Sequence, residues 1–262
     1  MNIPLYQVDA FTKEIFKGNP AAVCVLESWP DDEILQGIAA ENNLSETAFL
    51  VNTAKGHYDL RWFTPTIEVD LCGHATLASA FVICSFFDTG LTSVDFKTAS
   101  GLLTVAKSGE LLSMDFPARK PIPVEAPSVL MEAFGMKKPV EVQKSRDLLV
   151  VFDDEGAVKE MNPDFELLGR IKDVLGIIVT APGKNADFVS RFFAPNAGIL
   201  EDPVTGSSHC TLIPYWAERL GKNKLHAYQV SKRGGELFCE DLDDRVRISG
   251  HAVLYAKGEI YI

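Results

Sequence analysis

The sequence is poor in the features that mark several large protein classes. Basic residues are outnumbered, with 25 Lys and Arg against 36 Asp and Glu and a formal net charge of −11. A nucleic-acid surface, or one made for anionic membranes, calls for a basic patch, so neither partner is expected. A small anionic substrate stays open, because helix N-termini can hold a carboxylate locally inside an acidic protein. Long apolar runs are missing too. The most apolar stretch, Ala75 to Phe87, is too short to span a bilayer, which takes ~20 apolar residues. The opening Met1-Asn-Ile-Pro-Leu-Tyr has neither the basic nor the apolar segment of a signal peptide, so a cytoplasmic location is expected. The five cysteines (Cys24, Cys72, Cys84, Cys210 and Cys239) form no CxxC pair. An odd number without an export signal argues for reduced thiols, not for a disulfide framework or a zinc site. Cys72 differs from the other four, because it precedes Gly73 at a helix start, where a thiolate is favoured.

What is present is a pair of related turns. Glu201-Asp-Pro-Val-Thr-Gly-Ser-Ser-His209 in the second half has a counterpart, Glu68-Val-Asp-Leu-Cys-Gly-His-Ala-Thr76, in the first. Each runs from an acidic residue through a short extended run to a glycine, then to small or histidine residues and an apolar helix. Each glycine lets backbone N–H groups approach an anion, and the helix N-terminus adds partial positive charge. Other pieces repeat in the same order. Pro30-Asp-Asp-Glu-Ile-Leu35 matches Pro163-Asp-Phe-Glu-Leu-Leu168, and Arg61-Trp-Phe-Thr-Pro65 matches Arg191-Phe-Phe-Ala-Pro195. The fold class expected is therefore α+β, with two pseudo-symmetric halves, each a curved, mostly antiparallel sheet wrapped around a central helix. The apolar character of Ala75 to Phe87 nearly all round fits a helix enclosed by sheet. The proline-rich segment Pro117 to Pro127 sets the boundary, giving halves 1–116 and 117–262, with the last strand able to pack back on the first half.

Between these landmarks the patterns predict strands at Leu5–Phe11, Ala21–Leu26, Ala48–Val51 and Tyr58–Phe63, and a helix opening at Trp29 to Glu33. In the second half they predict a short helix at Ser128–Gly135, strands at 140–143, 147–152, 177–180 and 187–193, and a helix around Asp164 to Leu175. If the halves face one another, two helix N-termini meet at a cleft where backbone N–H groups and the Ser207 hydroxyl can bind a carboxylate. Groups from opposite halves then suit removal and return of a proton.

Five segments, Gly18-Asn-Pro20, Leu44-Ser-Glu-Thr47, Phe63-Thr-Pro65, Cys72-Gly-His-Ala-Thr-Leu-Ala78 and Glu201-Asp-Pro-Val-Thr-Gly-Ser207, together resemble the PhzF-like phenazine biosynthesis family over essentially the whole chain. The resemblance implies a diaminopimelate epimerase-like fold with the active site between the halves. It also implies an isomerase using neither metal nor organic cofactor, usually as a homodimer, on a small carboxylate substrate. It places the catalytic base at Glu46, a partner acid or proton carrier at Asp202, and a proton shuttle or substrate contact at His74. Gly73, Gly206 and Ser207 would hold the carboxylate, and Asn19 would contact substrate. Locally, Glu46 also reads as an N-cap or surface turn, Asp202 as an N-cap, and Asn19 as a turn residue. Related racemases of this fold carry a cysteine before each glycine turn, whereas this chain has Cys72 in one half and Thr205 in the other. A Cys72-dependent epimerase or dehydratase is one alternative, with Cys72 otherwise a small buried residue near the substrate. A non-catalytic small-molecule binding protein is the other.

Overall fold

The computed structural model describes residues 2–262, and the chain forms two compact units, Met1–Asp115 with Ser249–Ile262 and Phe116–Ile248. The first unit begins with β1 (Asn2–Ala10) and β2 (Asn19–Leu26), followed by α1 (Asp32–Asn42), β3 (Glu46–Ala54), β4 (His57–Phe63) and the short β5 (Glu68–Val69). Next come α2 (Gly73–Val82), β6 (Ser93–Thr98), β7 (Gly101–Ser108) and β8 (Leu111–Pro117). Antiparallel pairings β1–β2, β3–β4, β4–β5 and β6–β7 alternate with parallel pairings β2–β3 and β4–β6.

The helix α2 packs against β1, β2, β3 and β7. Its buried residues run without a break from His74 to Ala80. Alanine and serine at these positions let strands approach closely, and the helix returns its own hydroxyls to the backbone: Thr76 Oγ1 donates to the Cys72 carbonyl and Ser79 Oγ to that of Ala75. A π turn over Ile83–Phe87 ends it, with Asp88 N–H reaching back to Ile83 O at 2.8 Å. Behind β2 and β3 a second apolar layer gathers Ile3, Leu26, Leu35, Ile38, Phe49 and Phe63.

The second unit runs through β9 (Ile122–Pro123), α3 (Leu130–Ala133), β10 (Glu141–Lys144), β11 (Leu148–Val151), α4 (Glu155–Lys159) and α5 (Phe165–Leu168). It continues with β12 (Ile177–Pro182), β13 (Phe188–Ala194), β14 (Ile199–Asp202), α6 (Gly206–Leu220), β15 (Lys224–Gln229), β16 (Gly235–Asp241) and β17 (Arg245–Gly250). The chain then returns to the first unit, where β18 (Ala252–Tyr261) pairs antiparallel with β1. The pairing scheme repeats that of the first unit: β11–β12 and β13–β15 are parallel, while β12–β13, β13–β14 and β15–β16 are antiparallel. The core of this unit is built by Leu130, Phe134, Val150, Phe152, Leu168, Val179 and Phe193.

The repeat extends to side chains. Arg61 holds Glu68 through two bonds of 2.7 Å and lies 5.1 Å above the Phe63 ring. Arg191 holds Glu201 through bonds of 2.6 and 2.9 Å and lies 4.9 Å above Phe193. The acidic residue opening each turn is thus one jaw of a guanidinium clip that fixes the strand before the glycine.

Two local expectations fail. The helix around Asp164 to Leu175 shrinks to α5, which Asp164 caps by accepting from Glu166 and Leu167 N–H. Beyond it Lys172 Nζ takes the Gly169 carbonyl, Asn196 Nδ2 takes that of Ile171, and Asp173 adopts φ 61°, so the carbonyls that would propagate the helix are engaged elsewhere. The Ser128–Gly135 helix is reduced to α3.

Candidate active site

In the first unit, two strand starts and one helix start converge. Asn19 opens β2, and Glu46 opens β3, one strand over, where its register partner is Ala21. Glu46 is therefore neither an N-cap nor a surface turn, and Asn19 is a strand residue. Packing of α2 on these strands brings Cys72, Gly73 and His74 to the same end of the sheet.

His74 is the hub, and it is buried. Its Nε2 lies 3.1 Å from Glu46 Oε2, its Nδ1 lies 3.2 Å from Asn19 Nδ2, and Cys72 Sγ lies 3.5 Å from Nδ1. Burial alone would pull the imidazole pKa down. The Cys72 sulfur and the Glu46 carboxylate outweigh it, so His74 is held protonated well above the ordinary histidine range. For Glu46, burial pushes upward but the facing imidazolium prevails and its pKa falls. Cys72 moves the other way. Burial, followed by the negative charge on Glu46, raises the thiol to about 11 against the opposing pull of His74. This corrects the thiolate expected at a helix start, because removing the sulfur from water outweighs the helix-end field. The resting cluster is a carboxylate, an imidazolium and a neutral thiol.

In the second unit, Asp202 ends β14, and its Oδ2 accepts the Thr205 hydroxyl at 2.5 Å. The N-cap position of α6 belongs to Thr205, so Asp202 braces the turn from outside the helix. Buried Gln229 fastens the same turn, accepting Thr205 N–H at 2.9 Å and donating to the Asp202 carbonyl at 2.7 Å. Gly206 and Ser207 open α6. The Ser207 hydroxyl, expected to serve a carboxylate directly, accepts from Arg146 Nη2 at 3.0 Å. Arg146 also pairs with fully buried Asp147, so the corner carries a guanidinium that residue order did not reveal. His209 is a packing residue. Its Nδ1 bonds the Thr205 carbonyl at 2.8 Å, and burial lowers its pKa to about 4.

The two turns, the duplicated pairing scheme and the enclosed helices define a diaminopimelate epimerase-like fold. A hydroxyproline epimerase from Agrobacterium vitis shares it at a TM-score of 0.61 and 9% identity, over 99% of this chain and 92% of that one. A family model described as phenazine biosynthesis-like protein matches residues 8–258, and the chain belongs to this PhzC-PhzF family. Among its relatives is a Pseudomonas aeruginosa protein named an uncharacterized isomerase, 52% identical over 264 residues and all of both chains. A crystal structure of a PhzF family protein from Enterococcus faecalis superposes with a TM-score of 0.97 at 50% identity, covering 100% of each chain. The family and its named relatives support an isomerase. No helix of the described residues is long and apolar enough to cross a membrane.

Proposed function

We propose that the protein is a cofactor-independent isomerase that moves a proton on a small carboxylate-bearing substrate, with Glu46 as the base. The observation that carries this reading is the contact of 3.1 Å between Glu46, half-buried at the start of β3, and His74, buried in the first turn of α2. Glu46 takes a proton from carbon and becomes neutral, the form that burial favours. The His74 imidazolium returns a proton at a second position, and transfer from Glu46 to His74 across their contact restores the starting state. Protons balance over the cycle, one taken and one given. Asp202 is the other candidate for the returning acid, as the motif resemblance implies.

Within each unit the glycine turn is assigned a carboxylate-holding role, through the backbone N–H groups at Gly73 with Asn19 and Cys72 as further contacts in the first, and through those at Gly206 with the Ser207 hydroxyl in the second. Helix starts leave such donors without intrahelical acceptors. A thiol held neutral favours the carboxylate over Cys72 as the base. We further propose a homodimer, checked by sedimentation, and a cytoplasmic location, which five free cysteines fit.

Deuterium uptake from D2O across a panel of small unsaturated and amino acids tests the assignment. Glu46→Gln should abolish exchange, while Cys72→Ser should retain it. The opposite pattern would select a Cys72-dependent epimerase or dehydratase. Binding without exchange by any panel member would leave a binding protein.

A further inference from the structure

A cavity of about 360 Å³ opens into the first unit beside the C-terminal end of α2, between the β7–β8 hairpin and the start of β18. We propose that it binds a small amphiphilic monoanion, a carboxylate carried on a short apolar body, at a site separate from the Glu46–His74 pair. The cavity lining includes neither of those residues. Its Cys84 lies ten residues beyond His74, about 15 Å along the helix. The inference assumes nothing about the reaction.

Strand alternation explains the cation in the wall. β7 turns Leu103, Val105 and Lys107 to one face, with Val105 buried and Lys107 half-buried. Lys107 therefore stands at an inward position that an apolar side chain would ordinarily fill. Among the described residues no carboxylate pairs with the ammonium of Lys107 or with that of Lys13, which also lines the cavity. Burial pushes the Cys84 thiol up, and the Lys107 charge pulls against it, so the ammonium stands close to the buried end of the space. Cys84 and Ser85 reach the cavity from the π turn that ends α2. Such turns interrupt the regular helical ladder and are concentrated at functional sites.

Charge and exposure define the ligand. Lys13 and Lys107 against Glu110 leave the lining one positive charge in excess, which suits a single carboxylate better than a phosphate dianion. His251 is engaged at the rim, where its Nδ1 donates to the Glu110 carbonyl at 3.2 Å. The C-terminal end of a helix carries partial negative charge. An anionic head is thus held away from the α2 carbonyls, by the exposed Lys13 and half-buried Lys107, while buried Leu112 and half-buried Phe81 and Val253 cover the apolar body.

Octanoate is the probe, octan-1-ol its uncharged counterpart, and binding is followed by calorimetry and by methyl NMR. Octanoate should shift the methyl signals of Leu112 and Val253, and should do so equally in Glu46→Gln. Lys107→Met should weaken its binding about 10-fold, with most of the loss recovered by Lys107→Arg. Glu110→Gln should tighten it. Octan-1-ol should bind about 10-fold more weakly than octanoate, a comparison that needs no variant, and inorganic phosphate at equal concentration should not displace octanoate. Absence of shifts at Leu112 and Val253, their loss in Glu46→Gln, equal affinity for octan-1-ol, displacement by phosphate, or undiminished binding by Lys107→Met would each overturn the assignment.

Discussion

The two arginine clips share a sequence pattern but not an environment, and that difference should separate their energetic weights. In the first unit the Arg61 side chain is 26% exposed, Glu68 is 39% exposed, and the third partner, Asp32, is 71% exposed. Solvent screens such a pair, and replacing Arg61 by Met should cost about 1 kcal/mol or less. In the second unit Arg191 and Glu201 are 11% and 21% exposed. Arg191 also donates to the carbonyls of Val158 and Met161. Arg191→Met would strand a largely buried carboxylate and release both carbonyls, at a cost of about 3–5 kcal/mol. Arg191→Lys keeps the charge but loses the planar fork and should recover less than half of this. The double substitution Arg191→Met with Glu201→Met should be milder than Arg191→Met alone, since no charge is left without a partner. Urea unfolding would rank the variants, and hydrogen exchange along β4 and β13 would localise each loss. Equal costs for Arg61→Met and Arg191→Met would refute the argument that burial, and not the motif, sets the strength of the clip.

Other outcomes follow from single residues. Cys72 should react with iodoacetamide at neutral pH far more slowly than an ordinary thiol, because a rise from 9.0 to about 11 leaves about 100-fold less thiolate, before any steric protection. Mass-spectrometric alkylation rates at pH 7 and pH 9 check this. Gly18→Ala should disturb Asn19, since the added Cβ would stand 2.1 Å from the Ala10 carbonyl oxygen at φ +63°; loss of exchange activity with the fold retained by circular dichroism is expected. His209, whose pKa falls from 6.5 to about 4, binds its proton more tightly in the unfolded chain. Its contribution is therefore present above pH 6.5 and lost as the pH falls towards 4, on the order of 3 kcal/mol. His209→Gln should flatten that part of the stability profile, measured by urea titration between pH 4 and pH 7.

Much of the architecture is legible because it is duplicated. The glycine turns, the two clips and the enclosed helix at 73–82 can all be found by setting one half against the other, and repetition filters out chance patterns. Duplication does not fix how far an element runs. Asp164 and the apolar residues after it match the start of α1, yet α5 stops after four residues, and just beyond it Asn196, distant in sequence, claims the Ile171 carbonyl that a longer helix would use. Among the site residues, His74 and Cys72 announce themselves by their position at a glycine turn. Glu46 does not, since Leu-Ser-Glu-Thr reads locally as a cap, and only the β2–β3 register carries it to His74. Arg146 and Gln229 lie 61 and 24 residues from the groups that they hold, and no local pattern links them. The protonation of the Cys72 thiol is hidden for a related reason. Helix position is written in the sequence, whereas desolvation depends on what the fold places around it.

Pro214 interrupts α6 and, lacking an N–H, leaves the Cys210 carbonyl without its helical partner. Arg119 N–H fills the vacancy at 2.8 Å. A missing rung thus becomes a mooring for the proline-rich stretch that follows β8, and the seating of that stretch is tied to completion of the helix. Amide exchange at Arg119 should then slow and quicken in step with the middle of α6, as though a residue nearly a hundred positions away were part of it.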